Sequence, residues 1–453
     1  MGSSLSKLYR TTYRQVVFTL CSILLIPPII YAGNTTQLST TVQWDNPKVE
    51  QQMLTDRYLE LLVTVPENVS YSDQDTRSPL NLCLVIDRSG SMGSEGKLEM
   101  VKKAAKEMLG GLQPGDRFSL ITYSDSVEIH FSSMPASRRA SIYHLIDSLE
   151  PGGNTYLSGG LEAGYEEIKL HFDPTAINRV FLLSDGLANR GITSSFQLAE
   201  IAEQHAREGI SLSTCGVGYQ FNEDLMAELS ERGRGMYYYV EEPAQLADIF
   251  NQELRNLRYL AAKDVELHLQ LAPGVEMTEI FANSYQTHGP NITIQAGDLA
   301  AGELRRIQLH VQFPAFAPGI HEVGTLFTTY RIPGSGKLFS KQQKLSVVSG
   351  KYGDNIDRFS DPGVMERSAV FHADRARKDA ATAISRGDIR EAKKQLNSAM
   401  EQLSTSPVQG KRIQKEMEQT KKFSNSLHNS HNSADRARIE KRIKHKSYVI
   451  EGC

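Results

Sequence analysis

Five oxygen-bearing residues fall in three short stretches of this chain. Asp87-Arg88-Ser89-Gly90-Ser91 places one carboxylate and two hydroxyls at alternate positions. Gly152-Gly153-Asn154-Thr155 adds a third hydroxyl, and Ser184-Asp185-Gly186 adds a second carboxylate. Hydroxyl and carboxylate oxygens are the ligands that hard divalent cations take. Gly90 allows the backbone to turn tightly between the two serines. The expected chemistry is one cation held by Asp87, Ser89, Ser91, Thr155 and Asp185, with Mg2+ expected and Ca2+ or Mn2+ as substitutes. Arg88 should point away, because its charge opposes a cation. The plainer alternative is that these small polar side chains cap helices, Ser91 or Ser94 ahead of one and Thr155 ahead of the next.

The surrounding elements have to bring the three stretches together. Apolar strands are expected at 82–86, 117–123, 127–131, 180–184, 211–217 and 236–240. Amphipathic helices are expected between and after them, at 98–109, 138–149, 158–170, 196–208, 222–232 and 243–257. In the first helix Leu98, Val101, Ala105, Met108 and Leu109 share a face, and Gly110-Gly111 should stop it. The strand LCLVI at 82–86 lacks polar alternation, as a strand buried on both sides does. This alternation predicts an α/β fold with a doubly wound, mostly parallel sheet. In such sheets ligands bind at the carboxyl ends of the strands, where Asp87 and Asp185 lie.

Asp-x-Ser-x-Ser, a later loop threonine and an aspartate after an apolar strand together resemble the metal-ion-dependent adhesion site of the von Willebrand factor type A family. The resemblance spans residues 80–257, with a Rossmann-like fold, and is similar to the bacterial exported or membrane-associated type with a flanking β-domain. It implies that the three hydroxyls bind the cation directly and the two aspartates bind directly or through water. It also implies an open coordination position for a Glu or Asp carboxylate of a protein partner. The expected function is therefore cation-dependent protein binding. In relatives that switch, the helix corresponding to 243–257 slides, and here such a slide would pull on the domain that begins at 259.

Other chemistries have less support. No His-x-x-x-His pair and no Gly-x-Ser-x-Gly elbow is present, and Gly216-Val217-Gly218 lacks the third glycine of a dinucleotide loop. A non-enzyme is expected, with a metal-dependent hydrolase as the weaker alternative and a scaffold or assembly factor as the nearer one. A net charge of −3 supplies no pull toward nucleic acid. Cys21, Cys83, Cys215 and Cys453 are too scattered for a thiolate zinc site, and Cys83 and Cys215 read as buried free thiols.

The flanking segments supply context. Lys7, Arg10 and Arg14 precede an apolar run at 16–32 that is broken by Pro27-Pro28. Residues 1–32 read as a cleaved signal peptide or an uncleaved membrane anchor. An exported protein is expected, whether periplasmic, secreted or membrane-anchored. The strand YLELLVTV at 58–65 has no neighbour in sequence, whereas 259–350 reads as an antiparallel β-domain punctuated by Gly and Pro. Segment 33–79 should therefore pack with 259–350, and the α/β unit at 80–257 is inserted between them. Residues 361–405 read as a helical hairpin turned at Arg386-Gly387-Asp388. From Lys411 onward eleven Lys or Arg residues face five acids. Segment 406–453 thus reads as a basic, partly helical tail, either solvated or resting on an acidic surface. Tyr237-Tyr238-Tyr239 reads as a strand with alternate rings inside and outside.

Overall fold

The computed structural model describes residues 38–67, 78–135, 139–218, 221–282, 284–334, 337–351 and 360–452. The leader read at 1–32 lies outside the described residues. The described residues start with three strands, β1 (Ser39–Trp44), β2 (Lys48–Glu50) and β3 (Thr55–Thr64). It then enters the α/β unit through β4 (Leu80–Asp87), α1 (Lys97–Gly111), β5 (Arg117–Tyr123), β6 (Val127–Pro135) and α2 (Arg139–Asp147). The unit continues with α3 (Leu157–Leu170), β7 (Ile177–Ser184), α4 (Ser195–Arg207), β8 (Ile210–Val217), α5 (Glu223–Arg232), β9 (Arg234–Val240) and α6 (Leu246–Arg258).

Its sheet has the order β6-β5-β4-β7-β8-β9, parallel throughout except for the edge pair β5–β6. Every residue of β4 is buried. Leu82, Leu84 and Ile86 face Val101, Ala105 and Met108 of α1 and Phe250 of α6. Cys83 and Val85 face Leu161 and Tyr165 of α3 and Leu225 of α5. The period-two side-chain alternation of one strand thus feeds two cores, and helices must cover both faces. Gly110 and Gly111 belong to α1, which runs two residues past the expected end, to Gly111, before Leu112 turns extended.

Residues 260–350 form seven further strands. They are β10 (Leu260–Leu271), β11 (Glu276–Phe281), β12 (Tyr285–His288), β13 (Asn291–Ala300), β14 (Leu304–Phe313), β15 (Gly319–Arg331) and β16 (Leu338–Gly350). Strand β3 lies between β1 and β14, with Leu59 opposite Leu309 and Leu61 opposite Ile307. Strand β2 joins the edge of the second sheet beside β16. The order of one sheet is β1-β3-β14-β11 and of the other β12-β13-β10-β15-β16-β2. Leu59, Leu61 and Val63 share one apolar core with Leu267, Leu269, Ile292, Ile294 and Leu326. The α/β unit stands in the sequence between β3 and β10, two strands of this β-domain. Buried Arg179 of β7 donates to Asp298 of β13 at 3.0 Å, which ties the two units at the amino ends of the parallel strands.

Among the described residues, four helices follow: α7 (Pro362–Ser385), α8 (Ile389–Ser404), α9 (Lys411–His428) and α10 (Ser433–Gly452). Asp361 caps α7 by accepting from the Gly363 and Val364 amides. Asp388 caps α8 by accepting from the Glu391 amide. Helix α7 covers the outer face of the first β-sheet, where the Arg367 guanidinium donates twice to the buried Glu60 carboxylate of β3. Phe371 stacks on Phe281 with ring centroids 5.3 Å apart.

The basic segment is not a solvated tail. It forms α9 and α10, and α10 rests on acidic groups of the α/β unit. Arg442 donates to both oxygens of Glu241, and Lys444 Nζ donates to Asp224 at 2.8 Å. Lys441 donates to the Phe221 carbonyl at 2.9 Å, and its ammonium lies 4.1 Å from the Phe221 ring centroid. This docking also revises the reading of Tyr237-Tyr238-Tyr239. The rings alternate between the two cores, but all three are buried. His445 of α10 lies against Tyr237 and Tyr239, so the face expected to be open is covered.

Glu223, at the first turn of α5, sits under this contact. Burial pushes its carboxyl up from 4.5 to about 7, against the opposing pull of Lys441 and Lys444. An acid whose pKa is higher folded than unfolded binds its proton more tightly in the folded state. Its contribution to stability is whole below about 4.5 and is lost as pH rises through about 7. Between pH 5 and pH 8 the wild type should therefore lose on the order of 2–3 kcal/mol more than Glu223→Gln. Chemical denaturation of both proteins across that window checks this, and parallel profiles would refute it.

Candidate metal centre

The three candidate stretches meet at the carboxyl edge of the parallel sheet. Asp87 is the last residue of β4, and Asp185 directly follows β7, the neighbouring strand. Thr155 lies in the loop that leads into α3. Backbone hydrogen bonds join the loops. The Gly152 amide donates to the Arg88 carbonyl at 2.7 Å, and the Gly90 amide donates to the Gly153 carbonyl at 3.1 Å. The Asn189 side-chain oxygen accepts from the Thr155 amide at 2.9 Å, and the Asn189 amide donates to the Thr155 carbonyl at 3.2 Å.

All five candidate side chains face this junction, and four of the residues are buried: Asp87, Ser89, Thr155 and Asp185. Asp87 accepts from the Ser89 amide and from the Ser184 hydroxyl, each at 2.8 Å. The Ser91 hydroxyl donates to Asp185 Oδ1 at 2.7 Å and lies 3.1 Å from the Ser89 hydroxyl. A hydroxyl that spends its hydrogen on a carboxylate keeps its lone pairs for a cation. Gly186 lies where Thr155 and Ser91 converge. A Cβ there would sit 3.4 Å from Thr155 Oγ1 and 3.6 Å from Ser91 Oγ.

The helix-capping alternative fails for these residues. A 3-10 turn at Gly90–Gly96 separates the first loop from α1. The residue before α1 is Gly96 in a left-handed conformation, and the residue before α3 is Tyr156. Neither helix start, nor the start of the 3-10 turn at Ser89, has a side-chain cap. The hydroxyls of Ser89, Ser91 and Thr155 are thus directed elsewhere. Arg88 points away from the junction and pairs with Glu128 of β6.

Electrostatics favour a cation here. Burial raises the Asp87 carboxyl from 3.8 to about 6, and the nearby Asp185 charge pushes in the same direction. Two buried carboxylates close together are costly, and the one buried ammonium beside them, that of Lys97 on Asp185, offsets only one of the two charges. An all-oxygen set of two carboxylates and three hydroxyls suits Mg2+, Ca2+ or Mn2+ better than softer metals. Among the described residues, no three His, Cys, Asp or Glu side chains gather as a metal-binding group. The hydroxyls therefore have to complete any such set.

Sequence reading missed one charged member of the site. Lys97, the first residue of α1, is buried, and its ammonium donates to Asp185 Oδ2 at 2.8 Å. The signal was present, since Lys97 stands four residues before Val101 on the apolar stripe of α1. Ser184 and Asn189 were also missed, because their roles are to hold Asp87 and the Thr155 loop. At the rim, Leu187 is exposed, and the Arg190 guanidinium lies 5.7 Å from the Tyr156 ring centroid.

Residues 81–252 match the family model for the von Willebrand factor type A domain. The uncharacterized protein YfbK of Escherichia coli (strain K12) is 31% identical over 229 residues, which cover 49% of this chain and 40% of that protein. The uncharacterized protein sll0103 of Synechocystis sp. (strain ATCC 27184 / PCC 6803 / Kazusa) is 28% identical over 299 residues, which cover 63% of this chain and 70% of that one. The structure of a von Willebrand factor type A protein from Catenulispora acidiphila superposes with a TM-score of 0.70, covering 90% of this chain and 96% of that chain. At 16% identity that likeness is one of fold.

Proposed function

We propose that this chain, which carries a von Willebrand factor type A domain at residues 81–252, is a protein-binding module that grips an acidic side chain of a partner through a divalent cation. The observation that carries this reading is the convergence of Asp87, Ser89, Ser91, Thr155 and Asp185 from three loops. Their hydroxyls are released from capping, and Gly186 lies in contact with two of them. A bound Mg2+, Ca2+ or Mn2+ would act as a Lewis acid with a position open to an outside carboxylate. Asp87 is held in place by the Ser89 amide and Ser184, and Asp185 by Ser91 and Lys97. A preformed donor set of this kind saves the cost of ordering side chains on binding. Leu187 and Arg190 at the rim would meet whatever surrounds the partner's acid.

A separate scaffold role for the C-terminal helices has less support. They pack on both the β-domain and the α/β unit, through Arg367–Glu60 and Arg442–Glu241. Placement outside the cytoplasm rests on the basic-then-apolar order of residues 7–32 alone.

Affinity capture compares wild type with Ser89→Ala, each in Mg2+ and in chelator. A partner retained by wild type in Mg2+, and lost in chelator and in Ser89→Ala, is the expected result. A partner retained equally in all four conditions would refute the cation bridge.

A further inference from the structure

The buried ion pair between Lys97 and Asp185 is an unusual neighbour for a cation site. The Lys97 side chain is 5% exposed and the Asp185 side chain 0%. Removing a lysine and a carboxylate from water costs several kcal/mol per ion, and an apolar side chain of similar volume would fill the space at less cost. The fold nevertheless makes room for it. Gly218, just after β8, passes beside the lysine with a left-handed φ of +75°, and a Cβ there would be in ordinary contact with it, 3.5 Å from Lys97 Cε and 3.6 Å from Nζ. Structure around the site thus accommodates a positive charge held against one of the two acids.

Counting charge shows what this does. Asp87 and Asp185 contribute two negative charges and Lys97 one positive charge. The nearby Arg88 turns away to Glu128, and Asp125 is engaged at the surface by Asn154 and Arg190. With Lys97 present, a divalent cation leaves one surplus positive charge, and an added carboxylate from outside restores neutrality. Without Lys97, the cation alone is neutral in the site and an added carboxylate leaves one surplus negative charge.

We propose that Lys97 is a positioning residue that sets this balance, so that the cation binds weakly alone and tightly together with an outside carboxylate. The proposal rests on the reading of the five residues as a cation site. Lys97 holds Asp185 in place and lowers the affinity for the bare ion. The same lysine transfers part of the binding energy to the partner's acid. Ion and partner are coupled through the charge of the chain and not only through a vacant coordination position.

The test is calorimetric titration of Mn2+ into the full chain, with and without acetate as the probe carboxylate. Wild type should bind Mn2+ more tightly with acetate present. Lys97→Met should bind Mn2+ alone about tenfold or more tightly than wild type, and acetate should help it less. Lys97→Arg keeps the charge and should resemble wild type on both counts. The metal-free Lys97→Met protein should melt lower than wild type and recover with Mn2+. If Lys97→Met does not fold, Lys97→Gln carries the same expectation. Mn2+ affinity in the neutral variants that equals or falls below that of wild type would overturn the proposal while leaving the cation site intact. No Mn2+ binding by wild type would overturn both.

Discussion

Asp87→Asn should abolish divalent-cation binding while leaving the metal-free fold intact. The variant keeps one oxygen to accept from the Ser89 amide, and its NH2 can donate to the Ser184 hydroxyl, which rotates to accept; these are the two groups that hold Asp87. It removes one of the two carboxylates that could face a cation. Affinity for Mg2+ or Mn2+ should fall at least about a hundredfold, because hard-cation affinity follows the charge of the ligand set. The metal-free melting temperature should change little, since Asp87 is a buried acid beside another acid and burial already disfavours its ionised form. Calorimetric titration and thermal melting in chelator measure the two effects separately. Unchanged cation affinity would remove Asp87 from the site. A large loss of metal-free stability would mean that Asp87 is a structural group.

Arg377→Met should produce the largest loss of stability outside the α/β unit. Arg377 is fully buried and bridges two helices. Its guanidinium donates to Asp374 on its own helix α7 at 3.1 Å, and to Glu416 and Thr420 on α9 at 3.0 and 3.1 Å. Lys446 donates to Glu416 at 2.9 Å and Ser447 donates to Asp374 at 2.8 Å, which brings α10 into the same network. Removing the arginine leaves two buried carboxylates with one cation between them. Breaking a buried pair in this way costs about 3–5 kcal/mol. Adding Glu416→Gln to Arg377→Met should restore part of the loss, because the uncompensated charge is then smaller. Denaturant titration measures both variants, and proteolysis should cut 411–452 first. A loss below about 1 kcal/mol, in the range of exposed ion pairs, would show that the network contributes little.

The two effects differ in origin, and the difference bears on how a sequence can be read. The proposed cation site depends on residue types at strand ends, and strand ends are set by local patterning. Asp87 follows a run of apolar residues and Asp185 follows another, so both could be placed at a sheet edge from the sequence. Alternation of strands and helices then brought Thr155 to the same edge. Lys97 escapes such a reading because a lysine at the start of a helix ordinarily lies in water. Its alignment with the apolar stripe of α1 hints at burial, but the partner, Asp185, lies 88 residues away in the chain.

The C-terminal segment shows the opposite case. Its composition indicates helix and positive charge, and both are present in α9 and α10. Charge counts carry no address, so the acidic partners Glu241, Asp224 and Glu416 could not be chosen among the chain's 53 acids. The strand and the alternating rings of the three β9 tyrosines are legible, but the covering of their outer face is not, since the helix that covers it arrives from far downstream. Insertion of the α/β unit is legible as a strand without a sequence neighbour, but its partner β14 and the register Leu61 to Ile307 are not.

The amino-acid order of this chain was therefore sufficient for the α/β sheet and for the meeting of Asp87, Ser89, Ser91, Thr155 and Asp185 at its carboxyl edge. Those features follow from side-chain periodicity and from the geometry of parallel strands, which act over a few residues. Long-range packing supplied the rest: the buried lysine beside Asp185, the pairing of β3 with β14, and the closure of α10 over β9. Each joins segments far apart in the chain, and the choice among chemically equivalent partners is made by the burial of the whole core, which no local pattern encodes.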